Sequence, residues 1–385
     1  MEVKKAHALL SPSAAHRWIN CTAAPRLEEN VEDSGSDFAR EGSLAHAYCA
    51  RALKLEIGQP IDPEDEEIEE LKRYYSSEMD GYVDQYYLAV MEHFNSARAH
   101  TKDAQLLVET RLDFSQFLPE SFGTADAIIV ADDLMEVIDF KYGKGVKVDA
   151  DRNPQMMIYA LGALDKFDFE YDIKRVRMTI VQPRLDHISS MELPVEMLKT
   201  WRDEVLKPAA AKAFLGGDNA EQKPGEWCRF CKVKARCKAM SKLAEDTICD
   251  PRLLSDKEIA ENVLPVVKTI EAWISDVQEY TLSQALSGVK YPGYKLVEGR
   301  SLRRVTDVTG LTLALASAGF DESQLFKTRE LKALGELEKL VGKKRFGMLC
   351  NEFIEKPTGK PTLVPESDKR KELNNAAEDF SFIEN

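Results

Sequence analysis

Apolar and polar positions recur along this chain with two different periods, and the change of period outlines its architecture. Ser11-Pro12, an N-cap residue followed by proline at the first helical position, predicts a short helix through Trp18 that runs out near Cys21. After a Gly/Ser stretch, "DFAREGSLAHAYCARALKLE" restarts as a helix around His46. From Glu66 to Ala99 the apolar residues Ile68, Leu71, Tyr75, Met79, Tyr82, Tyr86, Val90 and Phe94 return at three- and four-residue steps. That spacing predicts one long amphipathic helix, and its acidic start suits the helix dipole. "QLLVETRLDF", "FGTADAIIVAD" and "LMEVIDFKYG" are then short, rich in β-branched residues and separated by turn-like pieces, as strands are. Asn153-Pro154 opens a further helix, "KRVRMTIVQP" and "DHISSMEL" read as two more strands, and "PVEMLKTWRDEVLKPAAAKAFLGG" as another helix. The order αα-βββ-α-ββ-α predicts an α/β core with a mixed central β-sheet flanked by helices.

From about Asp250 the texture changes. A helix from roughly Asp256 to Leu286, a Gly/Pro turn in "GVKYPGYKLVEGR" and more helix through "ELKALGELEKLVGKKRFGMLCNEFI" predict a second, mostly helical module over 250–385 with a loose tail. A first domain over 1–249 and this module suit 385 residues, more than one hydrophobic core usually spans. The net charge of -14 argues against a protein that coats nucleic acid by bulk electrostatics. It is compatible with a site of carboxylates and divalent cations, which is acidic until the metal binds. No apolar run suits a signal peptide or a membrane span, so the expectation is a cytoplasmic protein with no membrane partner.

The chemistry concentrates in the β block. Asp139 and Lys141 stand two apart, so they share a face of their strand. Asp126 lies on the preceding strand, and two adjacent antiparallel strands would present all three together. Two carboxylates and a lysine can hold a hard divalent cation and orient an attacking water. A structural Asp-Lys pair at a strand end is the plain alternative. Gln155 and Tyr159 share a face of the next helix. His46 could complete a metal shell as a neutral imidazole, although a lone helical histidine is commonly just packed. Glu109 in "LLVETRL" reads as structural, with an outer-shell place as its functional alternative.

Cys228, Cys231 and Cys237 form CxxCxxxxxC just past this core. In a compartment that keeps thiols reduced, metal ligation is the sharper reading, free thiols the plain one. Three thiolates leave a tetrahedral site one short, and both Cys21 and Cys249 are candidates for the fourth. Cys49 and Cys350 fall on apolar helix faces and read as core.

Taken in chain order, Gly42/His46, Gly123/Asp126, Asp139/Lys141 and Gln155/Tyr159 resemble the GxxxH, GxxD, DxK and QxxxY motifs of the PD-(D/E)xK nuclease superfamily, in its RecB-like exonuclease branch. The resemblance covers roughly Leu9 to Lys242, and the C-terminal portion is similar to that of a phage- and prophage-borne family of such nucleases. It implies a restriction-endonuclease-like core and a metal-dependent DNA exonuclease of phage-type recombination, repair or replication. His46, Asp126, Asp139 and the Phe140 carbonyl would bind Mg2+ or Mn2+, Lys141 would position the water, and Gln155 and Tyr159 would steady Lys141 or the DNA. RecB-like nucleases with a 4Fe-4S cluster carry one cysteine before the histidine motif and three after the core. Cys21 matches that placement and Cys249 does not, so the implied ligands are Cys21, Cys228, Cys231 and Cys237, with zinc as the runner-up. Expected partners are DNA and a single-strand-binding or annealing protein. The competing class is a non-catalytic DNA- or partner-binding recombination factor that keeps the fold and the cluster, whose mark would be loss of Asp139 or Lys141. Arg300, Arg303 and Arg304, and Lys343, Lys344 and Arg345, could hold DNA phosphates, against the commoner reading of solvated helix faces.

Overall fold

A computed structural model describes residues 8–31, 35–61, 66–167, 169–248, 254–299, 304–327, 330–355, 357, 361–365 and 370–373. The chain divides into two compact units, Met1–Trp273 and Ile274–Asn385. The first is built on a five-stranded sheet in sequence order: β1 (Gln105–Asp113), β2 (Phe122–Ala131), β3 (Leu134–Phe140), β4 (Arg175–Gln182) and β5 (His187–Pro194). Pairing is antiparallel except between β3 and β4, which run parallel and so require a crossover connection. That crossover contains a helix, Pro154–Phe167, whose Met156, Ile158, Ala160 and Ala163 are fully buried.

Helices cover both faces. On one face Pro154–Phe167, the short helix Ala15–Asn20, and the run Val195–Trp201 to Lys207–Leu215 bury Trp18, Leu112, Phe114, Met135, Val137 and Leu198. On the other, Asp37–Glu56 and Ser77–His100 bury Leu44, Leu53, Met79, Tyr86, Ile138 and Phe140. Ser36 caps the first of these by accepting the Ala39 amide, and Asp37 adds a negative charge to its first turn. Burying one aliphatic or aromatic side chain of this kind is worth about 2 kcal/mol, so the two packed faces carry the unit.

The long helix expected from Glu66 to Ala99 is two helices. Glu66–Leu71 tightens into a 3-10 turn over Lys72–Tyr74, Tyr75 and Ser76 are extended, and the second helix begins at Ser77. The period reads straight across the break, whereas the local bonding does not: Tyr75 donates its hydroxyl to Asp80 and Ser76 takes the N-cap place.

The second unit has a small core of Leu311, Leu315, Leu325, Leu337, Val341, Phe346 and Cys350 on helices Val308–Ser317, Glu322–Leu325, Leu334–Val341 and Lys343–Cys350. Two-stranded pieces join them, including Tyr294–Glu298 paired with Pro361–Pro365. Cys350 and Cys49 are buried core residues, as their positions predict. Arg304 pairs with Glu355, Arg345 donates to the Ala318 carbonyl, and Lys343 and Lys344 are exposed. Arg300 and Arg303 lie outside the described residues. No helix among the described residues is long and apolar enough to cross a membrane.

Candidate functional site

Where β3 ends against the middle of β2, the sheet meets the His46 helix on one face and the Gln155 helix on the other. Asp126 is the joint between them. One of its oxygens lies 3.2 Å from His46 Nδ1, and the other accepts the Phe140 backbone N–H at 2.7 Å. Phe140 itself is buried, its ring 5.1 Å from the His46 ring and 4.8 Å from Tyr86. Asp139, Lys141 and Gln155 close a ring of polar contacts. Lys141 Nζ donates to Gln155 Oε1 at 2.9 Å, Gln155 Nε2 donates to Asp139 Oδ1 at 3.1 Å, and Lys141 Nζ lies 3.0 Å from Asp139 Oδ2. That last oxygen is buried and accepts no directed hydrogen bond. Tyr159 is buried one turn beyond Gln155, and a side chain at Gly123 would put its Cβ 3.0 Å from the tyrosine ring. Gly42, one turn before His46, meets nothing within 4 Å.

Glu109 is the residue that sequence reasoning undervalued. With His46 and Asp126 it forms a set whose ligand atoms all lie within 4.8 Å of one another. Glu109 has a left-handed φ of 50° and stands opposite Asp126, where the β1–β2 pairing skips one bridge without losing register. Both strands change faces there: Val108 and Ala127 pack on the His46 side, Leu112 and Ala125 on the Gln155 side. A non-glycine residue held in this conformation is strained, and such strain gathers at functional sites. No pattern of residue types announces it.

The electrostatics follow from crowding. Burial by itself would lower the His46 pKa, but the Asp126 carboxylate, with Asp139 and Glu109 behind it, raises it to about 9. Glu109 is pushed up to about 7 by burial and by Asp126. Burial also raises Asp139, and the Asp126 charge adds to that against the pull of Lys141. Asp126 ends below the usual carboxylate range, because His46, the Phe140 amide and Lys141 outweigh its burial. Burial and the two aspartates raise Tyr159. Three carboxylates thus crowd around His46 and Lys141, and of them Glu109 and Asp126, together with His46 once it is deprotonated, are the set whose ligand atoms could reach one hard cation.

The cysteines form a second centre. Cys21 ends the Ala15–Asn20 helix, Cys228 lies in the 3-10 turn Glu226–Phe230, Cys231 caps that turn, and Cys237 caps the next, Lys234–Arg236. The two segments are tied by the Ala23 amide on the Glu221 carbonyl at 3.1 Å, the Glu221 amide on Thr22 Oγ1 at 2.8 Å, Arg17 on the Phe230 carbonyl at 3.1 Å, and the Lys232 amide on Glu28 at 2.6 Å. Burial raises the Cys21 thiol, with Cys237 adding to it, and raises Cys228, with Cys21 and Cys237 adding. Burial and Glu28 push Cys231 up to about 12. Cys249 lies outside the described residues.

Fold and site together define a mixed-sheet α/β protein with a histidine–carboxylate cluster where β3 ends, and with Cys21 brought near Cys228 and Cys237 from a distant segment. Residues 7–371 match the family described as "Protein of unknown function (DUF2800)", and the chain belongs to that family. Among solved structures it is similar to one titled "Crystal structure of SSO0001", at 14% identity over 59% of this chain and 95% of that one, with a TM-score of 0.21. A likeness of that size carries no argument.

Proposed function

We propose that this protein is a metal-dependent DNA exonuclease of the RecB-like, PD-(D/E)xK type with a structural 4Fe-4S cluster. What carries the reading is one juxtaposition: Asp126 paired with His46, and Asp139, Lys141 and Gln155 bonded to one another, meet where Asp126 accepts the Phe140 amide between Asp139 and Lys141. The exonucleolytic mode and the setting of phage-type recombination, repair or replication rest on the motif resemblance. His46, Asp126 and Asp139 are the proposed ligands for Mg2+ or Mn2+, with the Phe140 carbonyl beside them and Glu109 as a further carboxylate. The crowding of carboxylates that raises Glu109 and Asp139 suits a cation. The ion would polarise the scissile phosphate and lower the pKa of a bound water. Lys141, aimed by Asp139 and Gln155, positions that water and offsets charge on the phosphate as it is attacked. Tyr159 packs behind Gln155 and fixes the helix that carries it.

The 4Fe-4S assignment, and its preference over zinc, rests on the motif resemblance; what supports one shared centre is that the segment carrying Cys21 is hydrogen-bonded to the segment carrying Cys228, Cys231 and Cys237. The role of the cluster would be to staple the N-terminal helix to the end of the core.

The test is incubation of purified protein with end-labelled single- and double-stranded DNA, with and without Mn2+. Loss of label as short products only with metal is expected. Intact DNA under all conditions would sink the enzyme and leave a binding factor.

A further inference from the structure

The segment between Lys141 and the Gln155 helix has no regular structure, yet it is held unusually firmly. Gln182, 1% exposed at the end of β4, donates its side-chain amide to the Gly143 carbonyl at 2.6 Å and the Val146 carbonyl at 2.8 Å, and accepts the Val148 amide at 3.1 Å. Ser189 accepts the Ala150 amide at 3.0 Å, and His187 lies 2.9 Å from Asp149. At the far end Asn153 caps the next helix, accepting the amides of Gln155 at 3.0 Å and Met156 at 3.3 Å. The loop thus begins at one residue of the polar network and ends by placing another.

Its outer side is open and carries Lys144, Lys147 and Arg152 against Asp149 and Asp151, with the cations concentrated toward its start. Lys144 and Lys147 are exposed, and Lys144 makes no ion pair among the described residues, although the chain carries a net charge of -14. Lys147 lies 3.6 Å from Asp149 at the surface, an exposed pairing of little strength. Gly143 and Gly145 flank Lys144 without a left-handed φ, and a Cβ on either would meet nothing within 4 Å. Neither the loop's conformation nor its packing requires glycine there. Glycine does suit the close approach of another molecule to the backbone, and a rigid scaffold presenting a loop is where binding residues concentrate.

We infer that the loop from Lys141 to Asn153 grips the phosphate backbone of DNA at this site, through Lys144, Lys147 and the bare backbone at Gly143 and Gly145, and that Gln182 is the residue that positions it. The inference rests on the nuclease reading for its choice of DNA as the occupant. Phosphate contacts of this kind set position and affinity without reading sequence, so the loop would serve any DNA end alike.

The experiment is DNA binding by full-length protein, followed as anisotropy of a labelled duplex in Ca2+ across a range of salt, with cleavage in Mn2+ measured separately. Each lost phosphate contact lowers the slope of log affinity on log salt by about 0.9, which at 0.1 M salt is roughly eightfold in Kd. Lys144→Ala should show that loss. Gly145→Ala should weaken binding at an unchanged slope and an unchanged melting temperature. Gln182→Ala should lower the slope as both lysines lose their place; should it fail to fold, the two surface variants decide. Wild-type affinity and slope in Lys144→Ala and Gly145→Ala overturn the clamp, as does a wild type that binds no DNA. Salt-dependent binding that needs Lys144 without any cleavage supports the clamp and sinks the nuclease reading. Cleavage with binding indifferent to Lys144 does the reverse.

Discussion

Asp126→Asn separates the chemistry of the site from its architecture. The substitution keeps the shape of the side chain: the new carbonyl still accepts the Phe140 amide now at 2.7 Å, and the new NH2 can donate to His46 Nδ1 at 3.2 Å. Replacing charged by neutral hydrogen bonds costs about 1 kcal/mol each. Removing a buried carboxylate that presses on Glu109 and Asp139 offsets much of this, so metal-free stability should stay within about 1 kcal/mol of wild type, roughly 2 °C in melting temperature for a unit of this size. The metal response should vanish. Mn2+ at a hundred times its Kd stabilises the wild type by about 2.7 kcal/mol, an upward shift of roughly 5 °C. The variant should show none of it, and cleavage should fall at least about 100-fold, since even outer-shell partners of a metal ligand cost 10- to 100-fold. Calorimetric scans with and without Mn2+, beside a cleavage assay, read all three. A full Mn2+ shift in the variant would mean that Asp126 is no ligand. A metal-free collapse of 10 °C or more would mean that it is a structural joint first.

Other consequences follow from the same geometry. Glu109→Gln should raise the Mn2+ concentration needed for half-maximal cleavage while leaving the fold intact; an unchanged requirement would return Glu109 to a structural role. In metal-free protein the folded pKa values of Glu109 and His46, about 7 and about 9, both lie above their ordinary ones. Their contributions to stability are therefore present at low pH and lost as pH rises through 7 and then 9, so the melting temperature should decline over that window and Mn2+ should flatten the decline. A metal-free melting temperature that rises from pH 6 to 9 would contradict the assignment. Cys21→Ser should bleach the brown colour of anaerobically purified protein, remove about four irons per chain and lower stability by at most roughly 5 kcal/mol, the chain-entropy value for a closed loop of about 200 residues. A colourless wild type carrying one zinc would refute the cluster.

The five strands were legible because "LMEVIDF" and its neighbours carry continuous or alternating apolar runs bounded by turns, and their order left few ways to pair. Asp139 and Lys141 stood out in the sequence because charge inside an apolar strand is costly, whereas His46 and Gln155 stood out only through the order of the motifs they resemble. The break at Tyr75–Ser76 was hidden, since the apolar period continues across it while the interruption depends on local hydrogen bonds. Glu109 was hidden more deeply. The positive φ and the change of face opposite Asp126 arise from pairing with β2, and one acidic residue in an alternating strand gives no sign of them. Glu136, in the same "LMEVIDF" run, is 3% exposed and bonded to His93 at 2.8 Å and Thr179 at 2.6 Å. Only tertiary structure could say that this glutamate is bonded inside the core while Asp139, three residues on, is paired with Lys141 and Gln155 beside Asp126.

The central claim, that Lys141 and the carboxylates around it hydrolyse phosphodiester bonds, is tested most directly by the rate at which wild-type protein and Lys141→Ala release nucleotides from linear DNA in saturating Mn2+. The account predicts steady metal-dependent release by the wild type and a loss of at least about 100-fold in the variant, with the variant still folded at the assay temperature. Equal rates for the two proteins would contradict it.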